Sequence, residues 1–81
     1  YHTVPQAGPT PAFNRISRLT ANGNVGGSLT TLVNLDPLSS ATNHNGGALH
    51  FGSDGKLYVA VGENANPSLA QSLTTRHGKI L

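Results

Sequence analysis

Hydrophobic and polar residues alternate over short runs in this chain, and clusters of glycine, proline and asparagine separate the runs. The clearest pair is Ala48 to Phe51 and Lys56 to Val61, on either side of Gly52-Ser53-Asp54-Gly55. Such spacing predicts a β-hairpin, because Gly52 and Gly55 reach positive φ without steric cost and Asp54 tolerates it. Leu29 to Leu35 also alternates, with Leu29, Thr31, Val33 and Leu35 on one side and Thr30, Leu32 and Asn34 on the other. That is the pattern of a half-buried strand. Phe13 to Thr20 is a strand by the same reading, but Ile16 and Leu19 fall on opposite faces, so both faces are expected to be partly covered. Tyr1 to Val4 is expected to be the end of a strand stopped by Pro5, and Gly78 to Leu81 a strand that is cut off.

The connections follow from the same residues. Gln6 to Ala12, with Gly8, Pro9 and Pro11, is a loop, and Ala21 to Ser28 is a turn cluster rich in Asn and Gly. Asp36-Pro37 ends a strand, and Leu38 to Asn45 is a polar loop leading into the hairpin. Asn66 as cap, Pro67 in the first helical position, and Leu69 and Leu73 four apart permit a turn or two of helix, and a loop fits equally well. Serial short antiparallel strands with turns between them make an all-β sandwich, barrel or propeller.

The hairpin has a chemical consequence. With Ser53 and Asp54 as the two loop residues, counting outward along both strands sets His44 opposite Glu63. A turn at Asp54-Gly55 offsets the two by two residues and keeps them on one face, whereas a one-residue slip or a bulge would part them. Neighbouring strands lie about 4.8 Å apart, so an imidazole and a carboxylate at the open end could share a hydrogen bond. A general base needs such a partner to fix its tautomer and to stabilise its protonated form.

Composition narrows the field. A chain of 81 residues is one small domain at most and buries only roughly 60–65% of its unfolded surface. Hydrophobic residues are 36% and aromatic residues 5%, with no Trp, Met or Cys to add bulk or a staple, so the core is modest. Charged residues are only 10%, which argues against a solvated helical bundle. The pI near 9.5 reflects a net charge of only +2. Arg15, Arg18, Lys56, Arg76 and Lys79 are scattered and form no stripe with aromatics, which disfavours nucleic-acid binding. No apolar run approaches the roughly 20 residues that span a bilayer. No charged-then-apolar leader opens the chain, so a signal peptide is expected to be absent or already removed. Asn66, with Ser68 two residues on, is followed by Pro67 and is no glycosylation acceptor.

Two longer motifs carry a resemblance. H-N-G-G-A-L-H-F-G-S-D-G-K-L-Y-V-A-V-G-E, from His44 to Glu63, with A-Q-S-L and G-K-I-L downstream, resembles the glucose/sorbosone dehydrogenase family, soluble quinoproteins built as six-bladed β-propellers. Upstream, Y-H-T-V-P and N-R-I-S-R-L-T-A-N-G are similar to that family's preceding strands. The resemblance implies parts of two adjacent blades, with residues 1–35 the end of one, 36–45 a loop to the central cavity and 46–81 the start of the next. The chain is accordingly expected to be a piece of a longer, secreted or periplasmic protein. It also implies a pyrroloquinoline quinone (PQQ) with a Ca²⁺, a sugar substrate and an electron acceptor. His44 falls on the position of the base that removes the sugar C1 hydroxyl proton as hydride passes to the quinone, and Glu63 stands where the family usually has Asp. Asn43 and Asn64 are candidate substrate contacts, and the residues that hold quinone and cation are expected outside this sequence.

Plainer roles stand beside these. His44 could be an exposed loop residue or a strand-end cap, and Glu63 a solvated carboxylate. Gly46-Gly47 is expected to let backbone pass close to a neighbour, since no helix start follows to cradle an anion. His50, mid-strand, is expected to be a packed structural histidine, and His2 and His77 surface residues. No pair of histidines has a metal spacing, so no metal site is expected among these residues. A non-catalytic propeller that binds carbohydrate or protein, and a fragment that associates through open strand edges, are the alternatives to an enzyme.

Overall fold

The computed structural model describes all 81 residues as two units, Tyr1–Pro37 and Leu38–Leu81. Each holds one antiparallel three-stranded sheet, and with 51% strand against 6% helix the chain is all-β, consistent with parts of propeller blades.

In the first unit, β1 (His2–Val4), β2 (Phe13–Asn22) and β3 (Val25–Pro37) pair in that order. Ile16 and Leu35 are its buried apolar residues, and Asn14 is buried beside them with its amide oxygen accepting from the Thr3 hydroxyl at 2.7 Å. A buried amide is tolerated only when so paired. The expected turn over Ala21 to Ser28 shrinks to Gly23-Asn24, because Asn22 pairs directly with Val25 and the strands run on through the remaining Asn and Gly residues. Gly23, at φ +60°, occupies the first loop position, the place a type II′ turn reserves for glycine. The inward face expected from Leu29, Thr31, Val33 and Leu35 also needs correction. Only Leu35 is buried, and residues 18–34 are all exposed. Register shifts at Ile16/Ser17 and Arg18/Thr20 break the alternation that the sequence suggests.

In the second unit, β4 (Gly46–Phe51), β5 (Leu57–Val61) and β6 (Lys79–Ile80) form the sheet. Val59 and Val61 point to one side of β5 and are its buried residues, each contributing about 1.5–3 kcal/mol by leaving water. A single turn and a half of helix, α1 (Pro67–Gln71), follows Asn66. Its last carbonyls are covered by Lys79, whose Nζ donates to the carbonyls of Leu69, Ala70 and His77 at 2.9–3.1 Å. A cation at a helix C-terminus satisfies carbonyls that have no partner within the helix.

The hairpin turn differs from the expected one by one residue. The carbonyl of Gly52 accepts from the N–H of Gly55, so Ser53 and Asp54 are the central residues, but Gly55 at φ +78° adds a residue before the ladder resumes. Phe51 therefore faces Leu57, His50 faces Tyr58 and Leu49 faces Val59. This is the type I turn followed by a left-handed residue that three-residue hairpin loops use. Further from the turn a bulge sets Gly47 and Ala48 against Ala60 alone, after which Gly46 faces Val61. One irregularity shifts the register by one residue and the other shifts it back.

Asp54 ties this turn together, accepting from the Lys56 N–H at 2.9 Å and from the Tyr58 hydroxyl at 2.7 Å. Those two bonds, the Tyr58 one foremost, hold its carboxyl below the usual carboxylate range, and the same bond raises the Tyr58 phenol. A carboxyl lowered on folding adds stability that is complete above its unfolded pKa and fades as pH falls through the folded value. We expect Tyr58→Phe to move the Asp54 midpoint up toward the ordinary range in a carbon-detected NMR titration. An unmoved midpoint would show that the hydroxyl contributes nothing.

Two histidines lie where the sequence did not suggest. His50 is exposed, with Nδ1 2.7 Å from the Phe51 carbonyl, because its side of β4 is uncovered. His77, expected at the surface, is buried at 5% exposure, its N–H donating to the Thr75 hydroxyl. His2 is exposed as expected and contacts the Ser17 hydroxyl.

Candidate active site

The candidate site stands at the open end of the β4–β5 hairpin. Ladder bonds continue past the strand ends, from the Gly62 N–H to the Asn45 carbonyl at 3.0 Å and from the Asn64 N–H to the His44 carbonyl at 2.9 Å. They bring the two chains so close that side chains are excluded there. A Cβ on Gly46 would stand 2.6 Å from the Ala60 carbonyl oxygen, and one on Gly62 would overlap the His44 carbonyl. Gly46 at φ +77° and Gly47 at φ +118° also supply the backbone geometry of the bulge. Gly46 thus serves close backbone approach.

Because slip and bulge cancel, His44 and Glu63 face each other, and His44 Nδ1 hydrogen-bonds Glu63 Oε1. The imidazole bond is the largest cause holding the Glu63 carboxyl below its usual range, with backbone hydrogen bonding second. An ionised carboxylate only accepts hydrogen bonds, so Nδ1 carries the proton and donates. Nε2 is then the basic nitrogen, and no group of the chain bonds it. The His44 side chain is 55% exposed and that of Glu63 22%, so the ring is reachable while its partner is partly shielded. An open, oriented imidazole backed by a carboxylate can take a proton from a bound hydroxyl.

The backbone here is strained. His44 (φ +54°), Asn64 (φ +54°) and Ala65 (φ +58°) are all in the left-handed region, which costs most non-glycine residues roughly 1–2 kcal/mol and asparagine less. Asn64 is buried at 3% exposure, and its amide is fully engaged. The oxygen accepts from the Ser39 N–H and hydroxyl, both at 2.8 Å, and the NH₂ donates to the carbonyls of Ala41 at 3.1 Å and Asn43 at 3.3 Å. Asn43 is exposed, and its carbonyl is what Asn64 holds. The structure therefore brings all four candidate residues to one rim, with Asn64 turned inward to the loop. Ser39 and Gly62 belong to the same construction and carry no local sequence signal. Ser39 meets Asn64 across 25 positions, and Gly62 is one glycine among ten.

The sequence model of the family described as Glucose / Sorbosone dehydrogenase matches residues 1–81, the whole chain. This protein belongs to the glucose/sorbosone dehydrogenase family. No curated protein and no solved structure matches it. Glucose/sorbosone dehydrogenases are generally PQQ-dependent and typically extracellular or periplasmic, and the family implies a sugar substrate and further propeller parts as partners. No helix in the chain is long and apolar enough to cross a membrane.

The pair of His44 and Glu63 is the arrangement here whose chemistry suits the oxidation of a hydroxyl. A Ca²⁺ takes about six to eight oxygen ligands, and no three His, Asp or Glu side chains converge anywhere in the chain. The open Nε2 beside an ionised carboxylate suits the acceptance of a proton.

Proposed function

We propose that this chain supplies the proton-accepting corner of a quinone-dependent sugar dehydrogenase, with His44 as general base and Glu63 as the residue that orients it. The observation that carries this reading is the hydrogen bond from Nδ1 to Glu63, which leaves Nε2 basic and open. His44 Nε2 would take the proton of the sugar C1 hydroxyl, and Glu63 would stabilise the imidazolium so formed. Hydride acceptance is the chemistry that a bound quinone supplies. Glu63 is one methylene longer than the Asp usual at this position, and the bulge of β4 places it within reach of the ring nonetheless. Residues 1–35 and 46–81 are read as parts of two propeller blades and 36–45 as the loop to the cavity. Asn43, exposed beside the base, is the candidate substrate contact, and the protein is read as secreted or periplasmic.

Titration of the whole protein with PQQ and Ca²⁺ tests the reading. The expected result is a change in the quinone spectrum together with dye-linked aldose oxidation. Absence of both would instead favour a propeller that binds carbohydrate or protein without turning it over. Within an active holoenzyme, Glu63→Gln keeps the shape but removes the charge behind the imidazolium. Turnover should fall at least about tenfold, a part of the roughly 10²–10⁴ that a positioned base contributes, and parity with the unaltered enzyme would refute Glu63 as the orienting group.

A further inference from the structure

We propose that Asn64 is a positioning residue for the base: its buried amide clamps the loop that delivers His44 and so sets the tautomer and direction of the imidazole. The inference rests on the reading of His44 as general base.

No residue from Leu38 to Asn45 is buried, so this loop has no apolar anchor of its own. What holds it is polar. All four hydrogen-bonding positions of the Asn64 amide are spent on it, through Ser39, Ala41 and Asn43. The Asn64 N–H adds a fifth bond to the carbonyl of His44 itself. Strained left-handed residues persist only where their surroundings over-determine them. His44 is one such residue, and Asn64 holds its backbone, through its N–H on the His44 carbonyl and its amide on the preceding carbonyl of Asn43. Glu63 is the residue before Asn64, so one short segment carries both the ring's partner and the loop's clamp. A side chain with both ends bonded and only 3% exposure has nothing to offer a substrate, so Asn64 acts through His44.

Asn64→Asp is nearly isosteric and tests the clamp. It keeps an acceptor for Ser39 but turns an oxygen toward the carbonyls of Ala41 and Asn43, where two donors stood. In the quinone-free protein, the ring ¹⁵N shifts of His44 should move from the Nδ1–H tautomer toward the Nε2–H form. In the holoenzyme, kcat should fall roughly 10- to 100-fold with KM changed less than about twofold, the scale of a misplaced catalytic group. Unaltered ring shifts and turnover would overturn the proposal. Should Asn64→Asp fail to fold, Ser39→Ala and Ser39→Thr decide, since Ser39 is exposed and only the first removes the hydroxyl that Asn64 accepts from. The alanine variant should show the same tautomer change with a few-fold loss of turnover, and the threonine variant should retain both. Equal behaviour of the two would also overturn it. If the tautomer shifts in Asn64→Asp while His44→Asn turns over normally, the clamp stands and the base reading falls.

Discussion

Replacing His44 by Ala in the complete enzyme should lower turnover by about 10²–10⁴, the contribution of a positioned general base, while the fold persists. The fold should tolerate the change because the ring is more than half exposed. His44→Asn sharpens the test, since asparagine accepts the left-handed conformation at φ +54° better than alanine and cannot take up a proton. Both variants should therefore be equally slow, and a fast His44→Asn would assign the alanine effect to backbone strain. A second readout needs no substrate. Loss of the imidazole removes the largest cause of the low Glu63 pKa, so the carboxyl midpoint should rise toward the ordinary range. Wild-type turnover in both variants would eliminate His44 as the base.

Gly62→Ala should be the most damaging substitution outside the pair itself. The added methyl would overlap the His44 carbonyl, and that atom is backbone, so strand and loop must separate. Overpacking of this kind costs about 1–3 kcal/mol, and here it also breaks the ladder bonds to Asn45 and His44. We expect denaturant unfolding to show that loss together with a fall in turnover as large as that of Glu63→Gln. Gly27→Ala is the matched control, with open space around the new methyl and ordinary φ, and should stay within about 0.5 kcal/mol. Similar behaviour of the two variants would mean that the close approach at the rim is not tight in solution.

Much of this geometry is legible in the sequence, and the parts that are not share a cause. Gly-Ser-Asp-Gly between two alternating runs announces the hairpin, because turn chemistry and strand period agree there. The register is less accessible. A glycine that turns the chain and a glycine that adds a left-handed residue look the same, and Gly46-Gly47 does not declare a bulge. The facing of His44 and Glu63 is expected from a regular ladder, and it arises from two irregularities that cancel. At Ala21 to Ser28 the Asn and Gly content suggests a long turn, yet cross-strand bonds draw all but Gly23-Asn24 into strands. His50 and His77 exchange their expected environments, since a single polar residue carries no period that shows which way it faces. Ser39 and Asn64 meet through polar bonds between a loop and a strand exit, a contact that neither propensity nor alternation encodes.

The paired irregularities also bear on how this segment can change length. Dropping one residue between Phe51 and Leu57 would turn the three-residue loop into a two-residue one, and with Gly47 and Ala48 still set against Ala60 every pair beyond the bulge would be kept. The imidazole and the carboxylate would then still share a side, and only a one-residue slip of the ladder itself would part them. Taking one residue from the glycine step would make the first strand regular and likewise leave them facing. Length changes are therefore absorbed locally at the tip and at the bulge, so a functional homologue with a shorter tip can keep the bulged first strand and the facing pair.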